Sequence, residues 1–132
     1  MDTSPEPLVP DSVHPSWWLG TDLAAVLLFA LVGMLTHDSA GYLGIVWPFL
    51  VGLVVAWLIP AVRAMPLLVW PSGVMIWGLT AGIGLALRAA VGDGLSGAFP
   101  WVTLGVLALL IIGWRVVLEV IERRRERRAR YL

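Results

Sequence analysis

The sequence predicts an all-α, polytopic membrane protein: a four-transmembrane-helix up-and-down bundle with its N and C termini in the cytoplasm. Hydrophobic residues make up 59% of the chain and charged residues 14%, whereas soluble domains have roughly 45–50% and 25%. Four apolar stretches reach the roughly 20 residues that an α-helix needs to cross a bilayer. Six of the nine arginines follow the last stretch, and such clusters stay on the cytoplasmic side.

The chain divides into an N-terminal tail, a transmembrane domain and a C-terminal tail. Residues 1–16 are acidic and contain four prolines, a composition typical of disordered segments. The transmembrane domain at 17–120 holds four predicted spans, at about 17–35, 42–62, 70–91 and 98–120. Short loops between the spans predict antiparallel neighbours. Residues 121–132 form an arginine-rich cytoplasmic tail, which we expect to contact anionic lipid.

Small residues recur at a spacing of four along the third span, at Gly78, Gly82, Ala86 and Ala90. Residues at this spacing share one face of a helix, and small side chains there let another helix approach closely. The fourth span has Gly105 and Gly113 eight residues apart, again on one face. We therefore expect these residues to mediate helix packing, within the chain or with another subunit.

Two charged residues lie at matching depths in the first and fourth spans. Asp22 stands five residues past Trp17, and Arg115 stands five residues before the inner end of its span. Ionisable groups inside a membrane are expensive and pair with one another, so we predict an intramembrane Asp22–Arg115 ion pair. The pair fixes the helix register, or Asp22 serves a proton or ion relay; in a third alternative Arg115 extends to lipid headgroups instead.

A second polar site is predicted at the outer face, from Arg88, Asp93, His37 and Asp38. Arg88 lies within about one turn of the outer end of the third span, and the other three residues belong to the outer loops. Two interpretations remain open for Arg88. It anchors the helix at the interface, or it forms the positive lip of a pocket for an anionic ligand or a lipid headgroup.

Several classes of site are not expected. The chain has no cysteine, which excludes disulfides, iron–sulfur clusters and thiolate zinc sites. The spans contain no nucleophile–base arrangement and no set of metal ligands, so we predict neither an enzyme nor a cofactor. Three tryptophans lie deep in the spans, at Trp57, Trp77 and Trp114. They pack against neighbouring helices or line a cavity for a lipid or pigment.

An ordered set of motifs runs through the span region. It comprises D-L-A-A-V-L-L-F-A-L-V-G at 22–33, His37, W-P-F-L-V-G at 47–52, W-P-S-G-V-M-I-W at 70–77, Thr80, Gly84, L-R at 87–88 and G-W-R at 113–115. This set resembles a family of small membrane proteins of actinobacteria and halophilic archaea, domain of unknown function 3054. The resemblance implies four spans and a bacterial inner membrane or an archaeal cell membrane.

Three functions are compatible with these patterns. The first is a non-enzymatic accessory or scaffold subunit, or a bundle that self-associates as a homo-oligomer or within a larger membrane complex. The second is a small proton- or ion-coupled transporter that uses Asp22. The third is a module that binds a lipid or quinone through the deep tryptophans and Arg88. The bilayer itself is the expected surroundings of the protein, and nucleic acid is not an expected partner.

Overall fold

The computed structural model describes residues 16–36, 41–92, 97 and 99–131, and these residues are almost entirely helical, with no strand. In chain order the helices are α1 (Ser16–Thr36), α2 (Gly41–Trp57), α3 (Pro60–Ala64), α4 (Val74–Ala90), α5 (Phe99–Leu107) and α6 (Gly113–Tyr131). A wider π turn at Ala108–Ile112 precedes α6, whereas the segment Val69–Gly73 before α4 is kinked at Trp70, which has extended backbone angles of φ −118° and ψ 131°. The predicted all-α fold is confirmed.

Three helical stretches of the described chain are long and apolar enough to cross a membrane. They cover Trp17–Leu35, Val69–Ala90 and Phe99–Tyr131, and an 18-residue window within each has a mean hydropathy of 2.0, 1.4 and 2.3 respectively. Helix α2 is equally apolar in character but has 17 residues, slightly fewer than the roughly 20 that a typical span contains. The architecture is thus a bundle of three to four helices that could span a membrane.

The second helix is shorter than the predicted span at 42–62. Helix α2 ends at Trp57, and Ile59 adopts an extended conformation with φ −72° and ψ 123°. This residue precedes Pro60, whose ring disfavours the helical conformation for its neighbour. The chain restarts as the short helix α3, so the turn between α2 and α4 is longer than the sequence suggested.

The helix of the fourth predicted span continues beyond residue 120. The helical stretch continues from Phe99 to Tyr131, so the arginine-rich tail extends the last helix. An exposed ion pair between Arg123 and Glu119, one turn apart with an N–O distance of 2.6 Å, lies on this extension. Pairs at this spacing stabilise an exposed helix by a few tenths of a kcal/mol.

Helices α2 and α4 pack closely along a face that contains Gly52 and Gly84. A Cβ atom on Gly52 would lie 2.8 Å from the Thr80 Cα and from the Leu79 carbonyl oxygen. A Cβ atom on Gly84 would overlap the ring of Phe49. Glycine is therefore required at both positions by close approach, a common way for membrane helices to pack.

The predicted small-residue face of the third span does not pack against another described helix of the chain, and its packing with another subunit stays a prediction. Gly78, Gly82, Ala86 and Ala90 are all exposed. Within the part of the chain that the structure describes, a Cβ atom added to Gly78, Gly82, Gly105 or Gly113 would meet nothing within 4 Å. The reason is geometric, because α2 occupies the face of α4 that carries Thr80 and Gly84. The α4 small-residue face, defined here as Gly78, Gly82, Ala86 and Ala90, is not covered by any described helix of the chain.

Candidate functional site

A buried ion pair joins the first and last helices near one end of the bundle. The structure brings Asp22 of α1 and Arg115 of α6 together, and both side chains are fully buried. The two guanidinium nitrogens Nη1 and Nη2 donate hydrogen bonds of 2.7 Å and 2.6 Å to Asp22 Oδ1 and Oδ2 respectively. This is the two-pronged arrangement that makes arginine–carboxylate pairs strong and directional.

Two tryptophans complete the coordination of the same carboxylate. Trp114 Nε1 donates to Asp22 Oδ1 at 3.1 Å, and Trp57 Nε1 donates to Asp22 Oδ2 at 3.0 Å. Each carboxylate oxygen therefore accepts two hydrogen bonds, one from a guanidinium and one from an indole. A carboxylate offers about four acceptor positions, so the hydrogen-bonding capacity of Asp22 is used in full.

Arg115 makes further contacts with backbone carbonyls and an aromatic ring. Its Nε donates to the Pro66 carbonyl oxygen at 2.8 Å, and its Nη1 donates to the Ile111 carbonyl oxygen at 2.9 Å. Its guanidinium carbon lies 4.2 Å from the ring centroid of Trp114. Trp18 stacks against Trp114, with ring centroids 5.5 Å apart. Buried cations are tolerated when their donors are satisfied in this manner.

The turn before α4 contains Pro66, whose carbonyl oxygen accepts a hydrogen bond from Arg115. The Ser72 hydroxyl donates to the Met65 carbonyl oxygen at 2.5 Å, and the Gly73 N–H donates to the Leu68 carbonyl oxygen at 2.9 Å. A Cβ atom on Gly73 would lie 2.9 Å from Arg115 Cδ. The missing side chain at Gly73 thus leaves room for the arginine that reaches Pro66.

We name this cluster the Asp22 clamp: Asp22, Trp57, Trp114, Arg115 and the carbonyl group of Pro66. It connects α1, α2, α6 and the turn between α3 and α4. The sequence indicated Asp22 and Arg115, because they lie at equal depth in the predicted spans. It did not indicate the two tryptophans or the Pro66 carbonyl group. An indole N–H buried in hydrocarbon needs an acceptor. That requirement could have indicated Trp57 and Trp114, because Asp22 is an acid that lies several residues inside a predicted span.

The residues proposed for the outer face are described only in part. Arg88 is 7% exposed, and its guanidinium carbon lies 4.3 Å from the ring centroid of Phe99. Its predicted neighbours Asp93, His37 and Asp38 lie outside the described residues. The third deep tryptophan, Trp77, donates from Nε1 to the Leu104 carbonyl oxygen at 3.0 Å and ties α4 to α5.

The described residues contain no group of three or more His, Cys, Asp or Glu side chains that could hold a metal ion. The contacts of the Asp22 clamp are of a kind that fixes helix positions, since each donor is directed at an acceptor on a different element of the fold.

Comparison with known proteins gives a family and no activity. No curated protein and no solved structure matches the chain. A family profile with the description Protein of unknown function (DUF3054) matches residues 19–118, which include all of the Asp22 clamp. Because the match covers well over half of the 132 residues, the chain belongs to this family.

Proposed function

We propose that this protein is a non-enzymatic integral membrane protein of the bacterial inner membrane or archaeal cell membrane, acting as a structural or accessory subunit. In this proposal both termini lie in the cytoplasm, with the arginine-rich end of α6 against the anionic inner leaflet. Each basic residue near such a surface contributes about 1 kcal/mol to binding. The protein supplies a rigid helical surface to its own copies or to a larger complex.

The saturation of Asp22 is the observation that carries this proposal. A proton carrier must release its bonds and meet water during each cycle, whereas Asp22 is fully buried and accepts four hydrogen bonds. Opening the site would leave the Arg115 guanidinium without its counterion at a cost of several kcal/mol. The clamp therefore supports a structural role over a transport role.

The open surface of α4 supports self-association. The α4 small-residue face is exposed along three turns, and a Cβ atom added to either of its glycines would meet no atom of another described element within 4 Å. Helices associate in lipid through such close approach, because the hydrophobic effect does not drive two apolar helices together there. A second copy of α4 is the occupant that this proposal places on the surface.

We expect Asp22 in the folded protein to resist a hydrophobic carbodiimide, a reagent that modifies protonated carboxyl groups within membranes. The ion pair and the two indole donors keep both oxygens occupied within a fully buried site, so neither oxygen is free to react. The modification is measured by intact mass and located by fragment mass on protein reconstituted in lipid.

An Arg115→Met variant provides the positive control for this reagent. Loss of the guanidinium removes one hydrogen bond from each oxygen of Asp22, so modification at Asp22 is expected to appear. Rapid modification of Asp22 in the unsubstituted protein would contradict the structural role and favour a carrier.

Self-association is tested with single cysteines, since the chain has none of its own. We expect Gly82→Cys to form a disulfide-linked dimer in lipid under mild oxidation, because two α4 helices in contact bring the two thiols together. The dimer is measured as a doubled mass on a non-reducing gel, and it disappears on reduction.

Leu31→Cys is the matched control for the crosslinking experiment. Leu31 is 41% exposed on α1. It stands nine residues after Asp22, and Gly82 likewise stands nine residues after Gly73. Asp22 and Gly73 both lie beside Arg115 and therefore mark the same depth. The two thiols therefore lie at similar depth. Equal crosslinking at both positions would indicate random collision, and no crosslinking at Gly82 would contradict self-association through α4.

A further inference from the structure

Arg88 is a buried cation with unused hydrogen-bond donors. It lies in the last turn of α4 and is 7% exposed. Among the described residues its Nε and Nη1 have no hydrogen-bond partner. The remaining buried side-chain atoms without a partner in these ranges are the hydroxyls of Thr80 and Thr103. Unsatisfied polar groups are thus concentrated on α4 and α5.

Among the described residues, Arg88 has fewer hydrogen-bond acceptors around its guanidinium than Arg115 has. Arg115 directs its donors at a carboxylate and two carbonyl groups. Arg88 is contacted on one face of its guanidinium by the ring of Phe99, at 4.3 Å. A ring face stabilises the charge, but it does not accept the N–H groups, which point outward in the guanidinium plane. A buried donor left unpaired is costly, which favours a ligand at this place.

The chemistry of the vacant donors identifies the class of ligand. A guanidinium N–H donates a charge-assisted hydrogen bond to a phosphate or carboxylate oxygen, which is stronger than a bond to a neutral acceptor. Arg88 stands fifteen residues after Gly73, which contacts the clamp, so it is about 22 Å along the helix at 1.5 Å per residue. It therefore lies at the opposite end of the bundle, at the depth where phospholipid headgroups begin.

We propose that Arg88 binds a phosphate group, with Phe99 supporting the guanidinium from one side. The phosphate is presented by an anionic phospholipid of the leaflet opposite the arginine-rich tail, or by free inorganic phosphate that reaches the same donors from water. The site is independent of the Asp22 clamp and of self-association, because neither of these uses Arg88 or Phe99.

The test compares the full-length protein with Arg88→Met after removal of lipid in detergent. Phosphatidylglycerol and inorganic phosphate are titrated separately, and binding is followed by native mass spectrometry and by the unfolding temperature. We expect phosphatidylglycerol to bind Arg88→Met about tenfold more weakly than the parent protein, as the loss of one charge-assisted pair implies. Stabilisation by phosphatidylglycerol alone identifies the lipid as the source, and equal stabilisation by inorganic phosphate identifies the free anion.

Arg63→Met is the matched control, because Arg63 is an exposed arginine outside the tail. The tail arginines contribute equally to every variant, so the difference between these two substitutions isolates Arg88. Arg88→Lys keeps the charge but loses the planar donors, and we expect it to bind at an intermediate level. Without lipid, Arg88→Met is expected to unfold at a temperature no lower than that of the parent protein.

Two results would overturn the proposal. The first is equal binding of both probes by the parent protein, Arg88→Met and Arg88→Lys. The second is an unfolding temperature of the parent protein that neither probe raises. If Arg88→Met does not fold, the parent protein and Arg88→Lys still decide the question, since a structural cation would make stability independent of both probes.

Discussion

Asp22→Asn is expected to lower the free energy of unfolding by about 3–5 kcal/mol, the loss found when one partner of a buried ion pair is removed. Asparagine keeps the shape of the side chain but leaves the Arg115 guanidinium charged and without a counterion. Two indole donors also lose an ionised acceptor. The measurement is equilibrium unfolding in mixed detergent micelles, followed by circular dichroism.

The exposed pair between Glu119 and Arg123 is the control for this substitution. Its N–O distance of 2.6 Å equals that of the buried pair, but its side chains are 40% and 71% exposed. Exposed pairs contribute at most about 1 kcal/mol, so Glu119→Gln is expected to change stability little. Similar losses in Asp22→Asn and Glu119→Gln would show that burial does not govern the effect.

A double substitution separates the charge imbalance from the lost contacts. Asp22→Asn combined with Arg115→Met removes both charges, so the combined loss should be smaller than the sum of the two single losses. It should not return to zero, because the Pro66 carbonyl group loses its donor. Purely additive losses would contradict a direct interaction between the two charges.

The helical fold and the charged pair could be predicted because both depend on features that are visible in the sequence itself, namely the length of apolar stretches and the position of charged residues within them. Apolar stretches of sufficient length reveal spans without knowledge of their neighbours. Charges are rare within the spans, so counting residues from the membrane interface was enough to place Asp22 and Arg115 at one depth. Hydrogen bonding by tryptophan was not predicted, since the belt of interfacial tryptophans accounts for this residue type equally well.

The packing face of α4 could not be predicted from residue size alone. Small residues occur at a spacing of four on two faces of this helix. The first is the α4 small-residue face, and the second contains Thr80, Gly84 and Arg88. The structure turns this second face inward, and all three residues are buried. Polar side chains in membrane helices point to the bundle interior, which is the signal that distinguishes the two faces.

The close contact of α2 with α4 leads to the second prediction. Gly52→Ala is expected to destabilise the fold by about 1–3 kcal/mol, the usual cost of inserting atoms into a packed interior. The new Cβ atom would lie 2.8 Å from backbone atoms of Leu79 and Thr80, and backbone cannot move aside unless the whole helix shifts. Gly52→Leu should destabilise further, and unfolding in mixed micelles measures both.

Gly82→Ala is the control, because it makes the same chemical change within a helix where nothing lies within 4 Å. Alanine favours a helix over glycine by about 1 kcal/mol, so the monomeric fraction of Gly82→Ala should be as stable as the parent protein or more so. The two substitutions share their effect on helix propensity and differ in what the added methyl group meets. Equal changes at both positions would therefore contradict the close approach of α2 to α4, whereas opposite signs would establish Gly52 as the point where these helices touch.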